Sequence, residues 1–150
     1  MPNSVQASLR PFPDLYLNEL QTSNTTGLTD QTGTREPWLE LYNAGATLVS
    51  LGGYYLTDDL NNPLAWAFPA SASIGPGQFL LVWADGESDQ SSATELHAGF
   101  RLAGASGIAA VTRVQNQLPA VVDYLRFEGL GPNQSVGRYP DGDYRLSQRF

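Results

Sequence analysis

Apolar residues recur along the chain in short alternating runs, and glycines and prolines punctuate those runs from end to end. Residues 15–20 read as a first strand. A polar loop over 24–36 separates it from Trp38–Asn43, where Leu39 and Leu41 alternate with Glu40 and are expected to face the core. Asn43-Ala44-Gly45 then turns the chain. Over 49–58 the parity changes, with Val49 and Leu51 on one side and Tyr54 and Leu56 on the other. A β-bulge at Gly52-Gly53 would bring all four together. Leu64, Trp66 and Phe68 alternate again, and the turn Ile74-Gly75-Pro76-Gly77 leads into Phe79–Trp83. That run is apolar on both parities and reads as a central strand covered on both faces. After a polar loop over 85–94, residues 96–102, 108–114, 121–127 and 135–139 supply the remaining strands, and Pro140-Asp141-Gly142 forms a late turn. No window keeps helical spacing for three turns without a glycine or proline. The pattern predicts an all-β sandwich of about seven to nine strands with Greek-key connections.

Composition narrows the chemistry. A chain of 150 residues fits one domain and is long enough to bury a core without covalent staples. It has no cysteine, which excludes disulfides, thiolate metal sites and thiol catalysis, and its single histidine, His97, excludes His-rich metal sites. No apolar stretch reaches membrane-spanning length. Met1-Pro2-Asn3-Ser4 does not open a basic region followed by an apolar run, so no signal peptide is expected there. A formal charge of −7 and a pI near 4.4 disfavour binding to a phosphate backbone, so no nucleic-acid partner is expected. All eight basic residues are arginine, which reads as the codon bias of a GC-rich, bacterial genome. Charged residues make up only 15%, so solubility rests on Ser, Thr, Asn and Gln, as suits an extracellular β-protein.

Few residues suggest chemistry. No Gly-x-Ser-x-Gly accompanies His97, which reads as a hydrogen-bonded residue at a strand edge. Gly129-Leu130-Gly131-Pro132-Asn133-Gln134 imitates a dinucleotide loop, but no helix follows it, so it reads as a turn. Two N-glycosylation triplets begin at Asn24 and Asn133, and such triplets arise by chance. The acidic loops are the one candidate for a cofactor. Asp85, Glu87 and Asp89 alternate, and Asp58 and Asp59 stand beside Asn61 and Asn62, offering hard oxygens to calcium. The same residue types are what turns prefer. Trp38, Tyr42, Tyr55 and Tyr139 are candidates for an exposed partner-binding platform, whereas Trp66, Phe68, Phe79 and Trp83 read as core.

The ordered segments also carry a family resemblance. Residues 38–45 are followed by Val49-x-Leu51-x-Gly53-Tyr54-x-Leu56-x-Asp58 and Trp66-x-Phe68-Pro69. Then come Ile74-x-Pro76-Gly77-x-Phe79-Leu80, Phe100-x-Leu102, Val122-Asp123 and Ser135-x-Gly137-Arg138-x-Pro140-Asp141-Gly142. In this order they resemble the lamin tail domain, particularly its bacterial branch. The resemblance implies an immunoglobulin-like β-sandwich without catalytic residues over 14–150, after an N-terminal extension over 1–13. It further implies a non-catalytic accessory module of a larger secreted or cell-envelope protein, with a protein or cell-surface polymer as partner. One alternative is a carbohydrate-binding module attached to a hydrolase. A second is a small hydrolase using two carboxylates, for which Glu40 and Asp123 are candidates. The Thr-Pro-Gly-x-x-Asn segment usual in the family after the Pro-Asp-Gly turn does not occur.

Overall fold

The computed structural model describes residues 13–138 and 140–142, and the backbone of 148–149. In chain order the strands are β1 (Leu15–Gln21), β2 (Trp38–Asn43), β3 (Val49–Ser50), β4 (Tyr54–Thr57), β5 (Trp66–Ala67) and β6 (Ser73–Ile74). They continue as β7 (Phe79–Trp83), β8 (Leu96–His97), β9 (Gly107–Gln115), β10 (Leu118–Phe127), β11 (Ser135–Gly137) and β12 (Gln148–Arg149). A single 3-10 turn, Ser88–Gln90, interrupts the loop after β7. A six-stranded sheet in the order β12-β11-β1-β2-β7-β8 faces a four-stranded sheet in the order β10-β9-β4-β5, and β3 and β6 form a short ribbon. Neighbours far apart in sequence, β1 beside β11 and β4 beside β9, give the crossing connections of a Greek key. The result is an immunoglobulin-like β-sandwich.

Burial follows the strand period. Leu39 and Leu41 of β2 lie inside with Val82 of β7, opposite Leu56 of β4, Val111 of β9, and Leu125 and Phe127 of β10. Two bulges set the inward registers. In β1 the pairing with β2 slips between Leu17 and Glu19, so Leu15, Leu17 and Leu20 all reach the core despite their mixed parity. In β10 the slip between Val121 and Asp123 turns Asp123, Leu125 and Phe127 onto one inward parity.

Three readings of the pattern are corrected. Gly52-Gly53 is a turn rather than a bulge. Gly53 has φ +87°, the Tyr54 amide donates to the Leu51 carbonyl at 3.0 Å, and the chain passes from the β3–β6 ribbon into the four-stranded sheet. Val49, Leu51, Tyr54 and Leu56 are nonetheless all buried. β7 is not covered on both faces, because Phe79 at its start is 46% exposed and stacks on Tyr42. Residues 96–102 form only the two-residue strand β8, which pairs parallel to β7, followed by an isolated bridge between Asp85 and Arg101.

The long loop between β1 and β2 is held by its own polar groups. Asn24 donates to the carbonyls of Leu28 and Glu36, and Asn133 accepts from the amides of Thr25 and Thr26. Asn43 is fully buried, and its side chain donates to the carbonyls of Thr47 and Ile74.

Candidate functional site

The strongest polar constellation in the interior joins the two sheets. Arg138, just past β11, reaches Asp123 of β10 with Nη2 at 2.8 and 2.9 Å from the two carboxylate oxygens. The same nitrogen donates to the Tyr124 carbonyl at 2.9 Å, while Nε donates to the Leu17 carbonyl at 3.1 Å. Asp123 also accepts from the Leu17 amide at 2.8 Å, so β1, β10 and β11 converge on one ion pair. Burial pushes the Asp123 carboxyl above its ordinary value, against the pull of Arg138 and the neighbouring amides. Both carboxylate oxygens of Asp123, and Nε and Nη2 of Arg138, are engaged in holding the strands together.

On the other side of β1, the bulged Asn18 organises the surface. Its amide nitrogen donates to Glu40 and to Asp141, both at 3.1 Å, and its oxygen accepts from the Gly142 amide at 2.8 Å. The Pro140-Asp141-Gly142 turn is thereby seated on the sheet, with Gly142 at φ +74° against the Tyr42 ring. Gly137 passes so close to β1 that a Cβ there would sit 2.7 Å from the Asn18 carbonyl oxygen. Burial pushes the Glu40 carboxyl upward. The hydrogen bond from Asn18 offsets this in part, while the charges of Glu19 and Asp141 add to it. Glu40 and Asp123 thus answer to separate partner sets, Asn18 for one and Arg138 with Leu17 for the other.

The aromatic candidates separate. Trp38 is buried, and its indole N–H donates to Gln21 at 3.2 Å, so its ring offers no open platform. Tyr42 is half-buried and stacks on Phe79 with ring centroids 4.6 Å apart. Tyr55 is half-buried on the outer face of the four-stranded sheet, in a cross-strand row with Thr112 and Val121. Tyr139 lies outside the described residues. Pattern reading missed the exposed apolar strip beside Tyr55. Val114, Val121 and Tyr124 share the outward face of the β9–β10 hairpin and are 46%, 40% and 48% exposed, and Leu118 at its tip is 68% exposed. Its signal is present in the sequence, since β-branched and aromatic residues occupy both parities of residues 118–124.

The acidic candidates do not gather as a group. Asp59 caps its own loop by accepting from the Asn61 amide at 2.9 Å, and Asp58 lines an open groove with Arg126 and Glu128. Glu87 accepts from Gln90 at 2.7 Å, and Asp89 is exposed. Asp85 instead turns inward, with Oδ2 2.7 Å from Nδ1 of the fully buried His97. The other ring nitrogen, Nε2, lies 2.8 Å from Oε1 of Glu95, and Ser91 brackets the His97 backbone through both its amide and its carbonyl. Burial opposes a charge on His97, but Glu95 and Asp85 outweigh it and hold its pKa above the ordinary value. Asp30, from the loop before β2, completes the group. One ligand atom each from Asp30, Glu95 and His97 lies within 4.8 Å of the others.

The ordered motifs, the two-sheet architecture and the clasp at Arg138 define an immunoglobulin-like domain built around an inter-sheet ion pair. The Lamin Tail Domain family model matches residues 10–126, well over half of the chain, and the chain belongs to that family. No curated protein matches the chain. Among the described residues, no helix is long and apolar enough to cross a membrane.

Proposed function

We propose that the chain is a non-catalytic interaction module of a larger secreted or cell-envelope protein and recognises a protein partner through the outer face of the β9–β10 hairpin. The observation that carries this reading is the exposed strip of Val114, Leu118, Val121 and Tyr124 on the edge of the four-stranded sheet. Large apolar side chains clustered on one hairpin favour a protein surface, with Tyr124 and the half-buried Tyr55 supplying amphipathic contact area. Calcium held by Asp58, Asp59, Asp85, Glu87 and Asp89 is not part of this reading, because Asp85 is committed to His97.

The test is a crosslinking experiment in the parent protein with a photoreactive side chain at position 118. A single specific adduct, lost on Val121→Lys while the thermal melt is unchanged, is the expected result. Adducts that persist in Val121→Lys would overturn the assignment of this face. A second reading, binding of a polysaccharide, draws on the exposed Phe79 stacked on Tyr42. Retention on an insoluble glycan that is lost with Phe79→Ala, and kept with Val121→Lys, would favour it.

A further inference from the structure

The buried group around His97 contains an acceptor that no described residue answers. Asp30 is only 6% exposed, and its Oδ1 accepts three hydrogen bonds, from the Thr32 amide at 2.9 Å, the Thr32 hydroxyl at 2.7 Å and the Thr34 amide at 2.9 Å. Its Oδ2 is buried and has no hydrogen-bond partner among the described residues. A buried carboxylate oxygen without a donor is costly. Burial pushes the Asp30 carboxyl upward, but the hydrogen bonds on Oδ1 and the field of His97 outweigh it and hold it below its ordinary value.

From this group we infer that Asp30, Glu95 and His97 form a binding site for one divalent transition-metal ion of the zinc type. The donor set is one imidazole nitrogen and two carboxylates, which suits zinc and its neighbours and is a poor match to calcium, which takes oxygen ligands alone. The spacing also suits an ion. Two donors each about 2.0–2.1 Å from zinc at a tetrahedral angle stand about 3.3 Å apart; the three ligand atoms lie within 4.8 Å of one another, and the 2.8 Å hydrogen bond between His97 Nε2 and Glu95 Oε1 opens by about half an ångström around an ion.

The surroundings are those that orient a metal-bound histidine. Asp85 can accept from Nδ1–H, which leaves the Nε2 lone pair on the side of Glu95, and Asp85 is itself fixed by the Glu87 amide at 3.0 Å. Glu95 is steadied by the Gln31 amide at 2.9 Å, next to Asp30 in sequence. Without an ion, each ring nitrogen of His97 faces a carboxylate oxygen, and Asp30 Oδ2 goes unpaired among the described residues. An ion answers all three ligands at once. It would tie the loop before β2 to the parallel edge strand β8, a structural role in which Glu95, the least buried ligand, marks the solvent side.

The sequence makes the test clean, because the chain holds no other histidine and no cysteine. Zinc is titrated calorimetrically into the chelator-stripped 150-residue chain at pH 7, with calcium as the control, and cobalt is added to a parallel sample for its visible absorption. The inference expects one saturable zinc site, cobalt bands of a nitrogen–oxygen site, and a melting temperature raised by roughly 5–11 °C at a hundredfold excess of zinc over its Kd. Asp30→Asn, which can keep the hydrogen bonds on Oδ1, should weaken zinc at least tenfold with an unchanged circular-dichroism spectrum. Asp85→Asn should weaken it about 10–100-fold, and His97→Gln should abolish the cobalt bands. If His97→Gln does not fold, Asp30→Asn decides alone. Absence of saturable zinc binding overturns the inference, as does zinc binding that Asp30→Asn leaves undiminished. A melt that responds to calcium and not to zinc also overturns it and returns attention to the exposed acidic loops.

Discussion

Arg138 ties three strands together with a single side chain. Its guanidinium satisfies Asp123 and the carbonyls of Leu17 and Tyr124 from inside the sandwich, where both members of the pair are almost fully buried. Arg138→Ala leaves the Asp123 carboxylate without a counter-ion, an effect of roughly 3–5 kcal/mol. Urea unfolding should show the midpoint falling accordingly. The double variant Arg138→Met with Asp123→Leu should recover most of the loss, because no buried charge is then left unpaired. Failure of the double variant to recover would place the cost in packing instead. Gly137 is the second sensitive residue. Gly137→Ala forces a methyl group against the Asn18 carbonyl at the β1 bulge, and overpacking of this kind costs about 1–3 kcal/mol. A melting temperature unchanged from wild type would show that the bulge can yield.

The elements differ in how far their own residues announce them. β2 alternates cleanly, and the strand Trp38–Asn43 is where the pattern puts it. β1 needs its bulge to bury Leu20 beside Leu17, and an asparagine at position 18 reads only as an outward polar residue until its three partners are seen. At Gly52-Gly53 the parity break is legible, but a bulge within one sheet and a turn between two sheets produce the same break. The pairing of β3 with β6 and of β4 with β9 decides between them, and that is not local information. Exposure of Phe79 is equally non-local, since an apolar run looks alike whether both of its faces are covered or one. The His97 group is hidden for a similar reason. Glu95 and His97 share one strand face at an i, i+2 spacing that the sequence does display, but Asp30 joins them only through the fold of a distant loop.

The outer face of the six-stranded sheet makes its own prediction. The folded Glu40 carboxyl has a raised pKa, from burial and from Glu19 and Asp141, so the folded state holds its proton at pH values where the unfolded chain, titrating near 4.3, has released it. Stability therefore falls as pH rises from about 4.3 through the raised folded value, and the penalty is constant above that. Glu40→Gln should raise the melting temperature at pH 7 and flatten its pH dependence across that window. An unaltered pH profile would show that Asn18 compensates the charge fully.

At the scale of the whole molecule, the domain closes on its C-terminal segment. The family match ends at residue 126, yet β11 at Ser135–Gly137 completes the pairing of β1. Phe127, Leu130 and Val136 belong to the core, and Arg138 supplies the counter-ion of Asp123. A chain ending at residue 126 would expose one side of β1 and strand a buried carboxylate, while Asn18 would lose the Pro140-Asp141-Gly142 turn. With no disulfide to hold the remainder together, such losses together are comparable with the roughly 5–15 kcal/mol by which a domain is stable. Residues 1–126 alone should therefore lack a cooperative thermal transition and near-ultraviolet circular dichroism, and extension to residue 142 should restore both. Because β1 must find β11 from the far end of the chain, refolding of the full chain should also be slow, on the order of milliseconds to seconds. A cooperative melt from residues 1–126 would mean that the sandwich is closed by β2 and β10 alone, and the Arg138 clasp would then be an addition to a domain already folded.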